Sequence, residues 1–119
     1  MRKYLAAVGL LAALVASPAA QDAYYQIGNG VKAPSLIREV KPVYTQAAKD
    51  RKVQGSVAMR CVVETDGTVN RDIEITQSLD PDLDEQAMIA LRQWRFKPGT
   101  RDDKPVRVQV VVEMSFTLK

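Results

Sequence analysis

Histidine is absent from this chain of 119 residues, and cysteine occurs once, as Cys61. Without histidine there is no Ser–His or Cys–His catalytic pair, and the imidazole ligands of many metal sites are missing. A single cysteine cannot form a disulfide within the chain, and Cys61 lies between Met59 and Val63 in an apolar pattern typical of a buried thiol. We therefore expect no catalytic site, no metal or cofactor, and no small-molecule substrate.

A strong excess of charge of either sign is also missing. The 17 lysines and arginines face 14 acidic residues, which gives a formal net charge of +3. Arg2 and Lys3 belong to a segment that we expect to be removed, and the 15 basic residues that remain leave a net charge of about +1. This balance lacks the basic footprint of a nucleic-acid-binding protein, so we expect no nucleic-acid partner.

Residues 1–20 have the composition of a secretory signal peptide. Two basic residues are followed by an apolar run over residues 4–16, and small residues then occupy the region of cleavage, at Ser17, Ala19 and Ala20. The run of 13 residues is shorter than the roughly 20 that span a bilayer, so we expect export and removal of this segment. An uncleaved anchor in the inner membrane is the alternative.

The chain between the leader and the first regular element is polar. Residues 21–32 contain two glycines, and we interpret them as a flexible lead-in outside the core. The folded domain is then expected over residues 33–119. Two prolines favour an extended course for residues 33–43, and Thr45 is a suitable N-cap for a short helix that continues to about Arg51.

Residues 55–63 alternate between two faces, which predicts a β-strand. Its core face carries Val57, Met59, Cys61 and Val63. The dipeptide Asp66-Gly67 predicts a hairpin turn, with a second strand over residues 69–77. Arg71 interrupts the alternation of the second strand, so a bulge and a late start are both open.

A helix is predicted to follow, because apolar residues recur three or four positions apart. They are Leu83, Ala87, Ala90, Leu91 and Trp94. Trp94 is the only tryptophan, and we expect its ring to pin the end of the helix to the core. Pro98 prevents further helix, and Gly99 permits a tight turn.

The N-terminus of this helix has two alternative starts. Asp80 is a good N-cap before Pro81, while Asp82 and Glu85 have the spacing of a capping box. The acidic residues around this point favour the positive end of the helix dipole. Their spacing lacks the glycine and the distal glutamate of a calcium loop, so we do not expect a metal site here.

The last stretch has the clearest alternation of the chain. Residues 106–118 predict a strand of 13 residues, roughly 43 Å long, with valines, Met114, Phe116 and Leu118 on its apolar face. The opposite face carries Arg107, Gln109, Val111 and Glu113. Before this strand, residues 100–104 predict a charged turn.

Several short motifs occur together in an order that resembles one known family. They are Pro42-x-Tyr44, Gly55-x-Val57, Asp66-Gly67, Leu83-Asp84 with Ala87, Trp94-Arg95-Phe96-Lys97-Pro98-Gly99, Lys104-Pro105-Val106 and Phe116-x-Leu118. From about residue 31 to residue 119 the chain resembles the carboxyl-terminal domain of TonB, the periplasmic energy transducer.

The resemblance implies an α+β domain in which two helices pack on one face of a three-stranded antiparallel sheet. It also implies a periplasmic binding module, because family members hold an extended segment of an outer-membrane receptor along the last strand. TonB proteins carry a membrane helix with a functional histidine and a long proline-rich spacer. These 119 residues contain neither, so we expect a freestanding binding domain rather than a motor.

The resemblance and the strand pattern together select the candidate residues. The partner-binding set is Arg107, Gln109, Val111 and Glu113, with Lys41 and Tyr44 from the Pro-x-Tyr corner. The structural set is Trp94, Pro98, Gly99, Gly55 and Gly67. We expect the partner to be an outer-membrane receptor or another envelope protein. The alternative is an envelope assembly module that uses the same edge strand to form a homodimer.

Overall fold

The computed structural model describes residues 23–119, so the predicted signal peptide lies outside the described residues. Two helices and eight strands form within this range. In chain order they are β1 (Val31–Lys32), β2 (Ser35–Arg38), α1 (Gln46–Asp50), β3 (Gly55–Val63), β4 (Glu74–Gln77), α2 (Pro81–Arg92), β5 (Arg95–Lys97), β6 (Thr100–Arg101), β7 (Lys104–Pro105) and β8 (Val108–Phe116).

The main sheet has the strand order β4-β3-β8, and all its pairs are antiparallel. The register of β3 and β8 is continuous from the pair Gly55–Phe116 to the pair Val63–Val108. The central position of β3 confirms the predicted three-stranded antiparallel sheet. It also leaves β8 as an outer strand.

Both helices pack on one face of this sheet, as predicted. Ala48 of α1 and Leu83, Ala87 and Leu91 of α2 share one buried cluster with the apolar side chains of β3 and β8. Period-two alternation brings those strand side chains to a single face, and the 3.6-residue period of α2 supplies the matching stripe. The α+β prediction is confirmed.

The ends of α1 and α2 are set by capping residues. Thr45 caps α1 as predicted, because its Oγ1 accepts a hydrogen bond from the Ala48 N–H at 3.2 Å. Asp80 is the N-cap of α2, and its Oδ2 accepts from the N–H groups of Asp82 at 3.0 Å and Leu83 at 3.3 Å. Of the two predicted starts, the one with Pro81 in the first turn is correct.

Strand β3 has the predicted bounds, whereas β4 and β8 are shorter than predicted. β4 begins at Glu74, so the predicted strand over residues 69–77 has a late start, after an isolated bridge between Val63 and Val69. β8 has nine residues instead of 13. Its length is limited by its partner, because β3 also has nine residues and offers no further backbone groups to pair with.

Short strands outside the main sheet were not predicted. β2 pairs with β5, so the segment of residues 33–43, for which an extended course was predicted, contains one strand of a two-stranded ladder against the exit from α2. β1, β6 and β7 form a second small sheet. The predicted charged turn after Gly99 is the β6–β7 hairpin, in which Asp102 and Asp103 have positive φ values of 52° and 63°.

The lead-in differs from the sequence-based expectation. Residues 28–31 form a tight turn, in which Asn29 and Gly30 have φ values of 53° and 86°. The turn leads into β1, and Val31 is buried. The part of residues 21–32 that the structure describes therefore contacts the domain, because an Asn-Gly turn folds the chain back on itself.

No helix within residues 23–119 is long and apolar enough to cross a membrane.

Candidate functional site

Strand β8 has one side paired to β3 and a second side that is only partly paired. On the second side, the Tyr25 N–H donates to Arg107 O at 2.8 Å, and the Gln109 N–H donates to Tyr25 O at 2.9 Å. Backbone groups of alternate residues point to the same side of a strand. The N–H and C=O groups of residues 111, 113 and 115 therefore point the same way as those of Gln109. We call residues 111–115 the open edge, since no strand within residues 23–119 pairs with this side of them.

The side chains of Val111, Glu113 and Ser115 in the open edge lie on the sheet face opposite the helices, whereas Val112 and Met114 face the core. The Val111 side chain is 67% exposed. Glu113 is also exposed, and the Ser115 hydroxyl lies 3.1 Å from the Ser56 hydroxyl across the ladder. The open edge thus presents hydrogen-bonding backbone groups beside an exposed apolar side chain.

A groove runs beside the C-terminal half of the open edge and encloses a cavity of about 390 Å³. One wall is β8, from Glu113 onwards, and the other is the chain segment of residues 39–44. The Trp94 indole lies in the groove, and its Nε1–H donates to Val40 O at 2.8 Å. Because Trp94 is itself buried, this bond fixes the second wall to the core.

The two predicted residues of the Pro-x-Tyr corner have different surroundings in this groove. The Tyr44 hydroxyl donates to Val53 O, and its ring packs edge-to-face on Phe116 with centroids 5.4 Å apart. Lys41 lines the same groove with an exposed side chain. Tyr44 is therefore a fixed part of the wall, whereas Lys41 is accessible to a partner.

Arg107 and Gln109 lie at the other end of β8. Arg107 donates to both carboxylate oxygens of Glu64, at 2.8 and 3.1 Å, and to Ala23 O at 3.2 Å. The hydrogen bond from Arg107 is the main reason that the pKa of Glu64 is lowered. The Gln109 side chain accepts from Gln26 Nε2 at 2.7 Å. Both residues are thus engaged by the chain itself.

The structure therefore divides the predicted partner-binding set. Lys41, Tyr44 and Glu113 meet in the groove, and Val111 lies exposed beside it. Arg107 and Gln109 contact the segment that precedes β1. The sequence reasoning missed that Tyr25 pairs with β8, although the Asn29-Gly30 dipeptide was a signal that the chain turns back there.

We also searched residues 23–119 for a reactive thiol and for a metal site. Burial raises the pKa of the Cys61 thiol to about 11, so it remains protonated at neutral pH. Within residues 23–119 no cluster of three or more histidine, cysteine or acidic side chains is arranged to hold a metal ion. The arrangement on β8 offers backbone hydrogen bonds and apolar contact.

Residues 40–118 match the family model described as the Gram-negative bacterial TonB protein C-terminal. This chain belongs to the TonB C-terminal family. The resemblance of its sequence motifs to that family is confirmed.

Two named relatives show the extent of the match. The chain is 28% identical over 90 residues to Protein TonB of Vibrio cholerae, covering 75% of this chain and 37% of that protein. It is 34% identical over 77 residues to Protein TonB of Xanthomonas campestris pv. campestris, covering 65% of this chain and 34% of that protein. The chain thus spans about a third of the length of these curated relatives.

A solved structure has the same fold. The solution NMR structure of the Pseudomonas aeruginosa TonB CTD superposes with a TM-score of 0.60 at 24% identity, covering 81% of this chain and 95% of that one. The fold described above is therefore that of a TonB C-terminal domain.

Two of the motifs shared with the TonB C-terminal family make close contacts near the end of the main sheet where Val63 pairs with Val108, away from the groove. The Phe96 N–H donates to Gly67 O at 2.9 Å, so the Asp66-Gly67 turn contacts the exit from α2. Gly67 has a φ of 87°, and a Cβ built there would lie 2.0 Å from Phe96 O. A Cβ on Gly99, which follows Pro98, would lie 2.7 Å from Lys32 O. Gly55 begins β3. These close approaches hold β5 and β1 beside the main sheet.

Proposed function

We propose that this chain is a periplasmic protein-binding module of TonB-dependent transport, which engages an extended segment of an outer-membrane receptor by adding it as a strand to β8. The open edge is the observation that carries the proposal. An exposed row of unpaired backbone groups is an aggregation hazard in a soluble domain unless it is protected or used by a partner. Strand addition uses such a row directly, because main-chain hydrogen bonds supply much of the affinity.

The groove supports the same proposal, because its side chains could distinguish one partner segment from another. A segment added beside residues 111–115 runs along the entrance of the groove, where Lys41 and Glu113 supply charges of opposite sign. Val111 offers an apolar contact next to them. In strand addition, neighbouring side chains of the receiving protein select the partner while the backbone holds it. Lys41, Val111 and Glu113 are the residues to which we assign this selection.

Family membership supports the wider role. The relatives are named Protein TonB, and we propose that this chain takes part in energy-dependent transport through an outer-membrane receptor. The signal-like residues 1–20 support a periplasmic location. We assign binding and no catalysis to the domain, because the proposed site consists of backbone groups, an exposed valine and two charged side chains.

Peptide binding tests this function. Labelled synthetic peptides that tile the periplasm-facing segments of the outer-membrane receptors of the same cell are titrated with the chain, and binding is measured by fluorescence anisotropy. We expect one or a few extended peptides to bind. Val111→Pro should lower their affinity by about tenfold or more, because it removes one outward N–H and alters the edge.

The matched control is Val111→Thr, which keeps the N–H and the β-branched shape. We expect it to lose less affinity than Val111→Pro, because its backbone bond is intact and only one methyl group of the apolar contact is replaced. Equal peptide binding by the parent and a folded Val111→Pro variant would contradict strand addition at this edge. A parent that binds no peptide, yet sediments as a dimer that Val111→Pro dissociates, would contradict the receptor role and favour assembly through β8.

A further inference from the structure

The N-terminal end of the β8 edge, beside residues 107–109, is occupied by the chain's own residues 23–27, which we call the edge cover. Its centre is Tyr25, which forms a parallel bridge with Val108: its C=O accepts from Gln109 of β8, and its N–H donates to the O of Arg107, directly before β8. Gln26 donates to the Gln109 side chain at 2.7 Å, and Ala23 O accepts from Arg107 at 3.2 Å. Backbone and side-chain contacts therefore coincide over this part of the strand.

The fold itself holds the edge cover in position. The turn at residues 28–31 connects the cover to β1, and β1 pairs with β6. Arg101 of β6 places its guanidinium 5.2 Å from the centre of the Tyr25 ring, within the range of a cation–π contact. The cover is thus attached at Tyr25 and again through the small sheet that follows it.

We propose that the edge cover limits strand addition to residues 111–115, so that a partner pairs with β8 through a short segment only. This inference rests on the proposed function and specifies the partner of the same site. Five extended residues span about 17 Å. A longer partner in register with the open edge would meet the cover end-on near Gln109, whose outward N–H is already bonded to Tyr25.

The same geometry assigns different roles to two residues that share one face of β8. The side chain of Gln109 is engaged by the cover through Gln26, so it does not select the partner while the cover is in place. Val111 lies beyond the cover and is accessible. On β8, selection therefore falls to Val111 and Glu113, which act together with Lys41 of the groove. A partner gains contact with Gln109 only by displacing the cover.

Hydrogen exchange of the full chain tests the cover without any partner. Tyr25→Pro removes the N–H that bonds Arg107 O, so we expect the Gln109 amide to exchange about tenfold faster or more. Tyr24→Pro is the matched control for the backbone, because neighbouring N–H groups of an extended segment point to opposite sides. It also removes the Tyr24 hydroxyl, which accepts from Gln109 Nε2 at 3.4 Å, but this contact does not involve the Gln109 amide. The control should leave Gln109 protected. Amides of Val110 and Val112, which face β3, should be unchanged in both variants.

Two peptide lengths then test the limit on the partner. Peptides of about five and about ten residues are taken from a receptor segment that binds, both covering the same core. On the parent we expect similar dissociation constants for both lengths. On Tyr25→Pro the longer peptide should bind about tenfold more tightly than the shorter one, because the edge beside Gln109 becomes available.

Each contrary result has a distinct meaning. If the longer peptide already binds the parent about tenfold more tightly than the shorter one, the cover yields readily and the proposed limit is overturned. An unprotected Gln109 amide in the parent would overturn the cover itself. If no peptide binds the parent or Tyr25→Pro, the proposed function fails and the limit on its partner fails with it, while the exchange data still decide whether the cover is held.

Discussion

Arg51 at the end of α1 and Asp80 at the start of α2 form an ion pair, with Nη1 and Oδ1 2.6 Å apart. Asp80 is buried, and its other carboxylate oxygen caps α2 by accepting from two backbone N–H groups. Arg51 also reaches Asp82 at 3.2 Å. One carboxylate thus joins the two helices and begins the second, which explains why Asp80 rather than Asp82 is the N-cap.

This pairing predicts a loss of stability in acid. The hydrogen bond from Arg51 is the largest cause that lowers the pKa of Asp80 below its ordinary value. A carboxyl whose folded pKa is lowered stabilises the fold above its unfolded pKa of about 3.9, and this contribution disappears as the pH falls through the folded pKa. The urea concentration at the unfolding midpoint should therefore decrease as the pH is lowered from about 5 to about 2.

Asp80→Asn should lower the midpoint at pH 7 and make it less sensitive to pH. Some acid sensitivity should remain, because the pKa values of Glu64 and Asp66 are also lowered, the first mainly by Arg107 and the second mainly by the Thr68 side chain. Asp82→Asn is the control and should lower the midpoint at pH 7 by less, because it removes only the exposed partner of Arg51 and keeps the Asp80 cap. An Asp80→Asn profile that matches the parent at every pH would contradict this role of the ion pair.

Trp94 carries a second prediction. Truncation of this buried ring in Trp94→Ala should lower the free energy of unfolding by about 3–5 kcal/mol. Trp94→Phe keeps an aromatic ring but removes the N–H that bonds Val40 O, so it should cost less, about 1–3 kcal/mol. Thermal melts of the three proteins provide the measurement. A shift of only a degree or two for Trp94→Ala would mean that the ring does not anchor the groove wall.

Gly67 and Gly30 allow a matched comparison of backbone strain and close approach. Both have positive φ, 87° and 86°, but a Cβ on Gly30 would have no atom within 4 Å, whereas one on Gly67 would meet Phe96 O. Gly30→Ala should cost about 1 kcal/mol from strain alone. Gly67→Ala should cost about 2–4 kcal/mol, because the turn must also move away from β5. Equal costs in urea denaturation would show that the turn moves freely.

Features that depend on neighbouring residues in the sequence could be predicted, whereas features that depend on distant partners could not. β3 was predicted with its exact bounds because nine residues of alternation are a strong local pattern. The start of α2 stayed ambiguous because Asp80 and Asp82 both satisfy the local rule. The deciding partner, Arg51, lies 29 residues away and cannot be identified from spacing alone.

The candidate site was predicted less completely for the same reason. That β8 has an exposed face followed from its alternation, and Val111 and Glu113 were selected on that basis. The pairing of Tyr25 with Val108 joins segments more than 80 residues apart, and an isolated bridge has no periodicity to reveal it. Short strands such as β1 and β6 are hidden for the same reason, since two residues cannot define a pattern.

Tyr44 and Lys41 both line the groove, but we expect substitution of Tyr44 to affect mainly stability and substitution of Lys41 to affect mainly binding. Tyr44→Phe removes the hydroxyl that bonds Val53 O and should lower the free energy of unfolding by about 1–2 kcal/mol, while the ring stays packed on Phe116. Lys41→Ala should change stability by less than about 0.5 kcal/mol, because its side chain is exposed. For peptide binding the order should reverse, since only Lys41 is accessible to a partner.

Urea denaturation and anisotropy titrations on the same three proteins measure both quantities. We expect Lys41→Ala to weaken the binding of a receptor peptide by about threefold to tenfold, the range of one partly exposed charge at an interface. Tyr44→Phe should bind like the parent once both are fully folded. A folded Tyr44→Phe variant that loses as much affinity as Lys41→Ala would show that the tyrosine hydroxyl leaves Val53 to contact the partner, and Tyr44 would then join Lys41 as a binding residue.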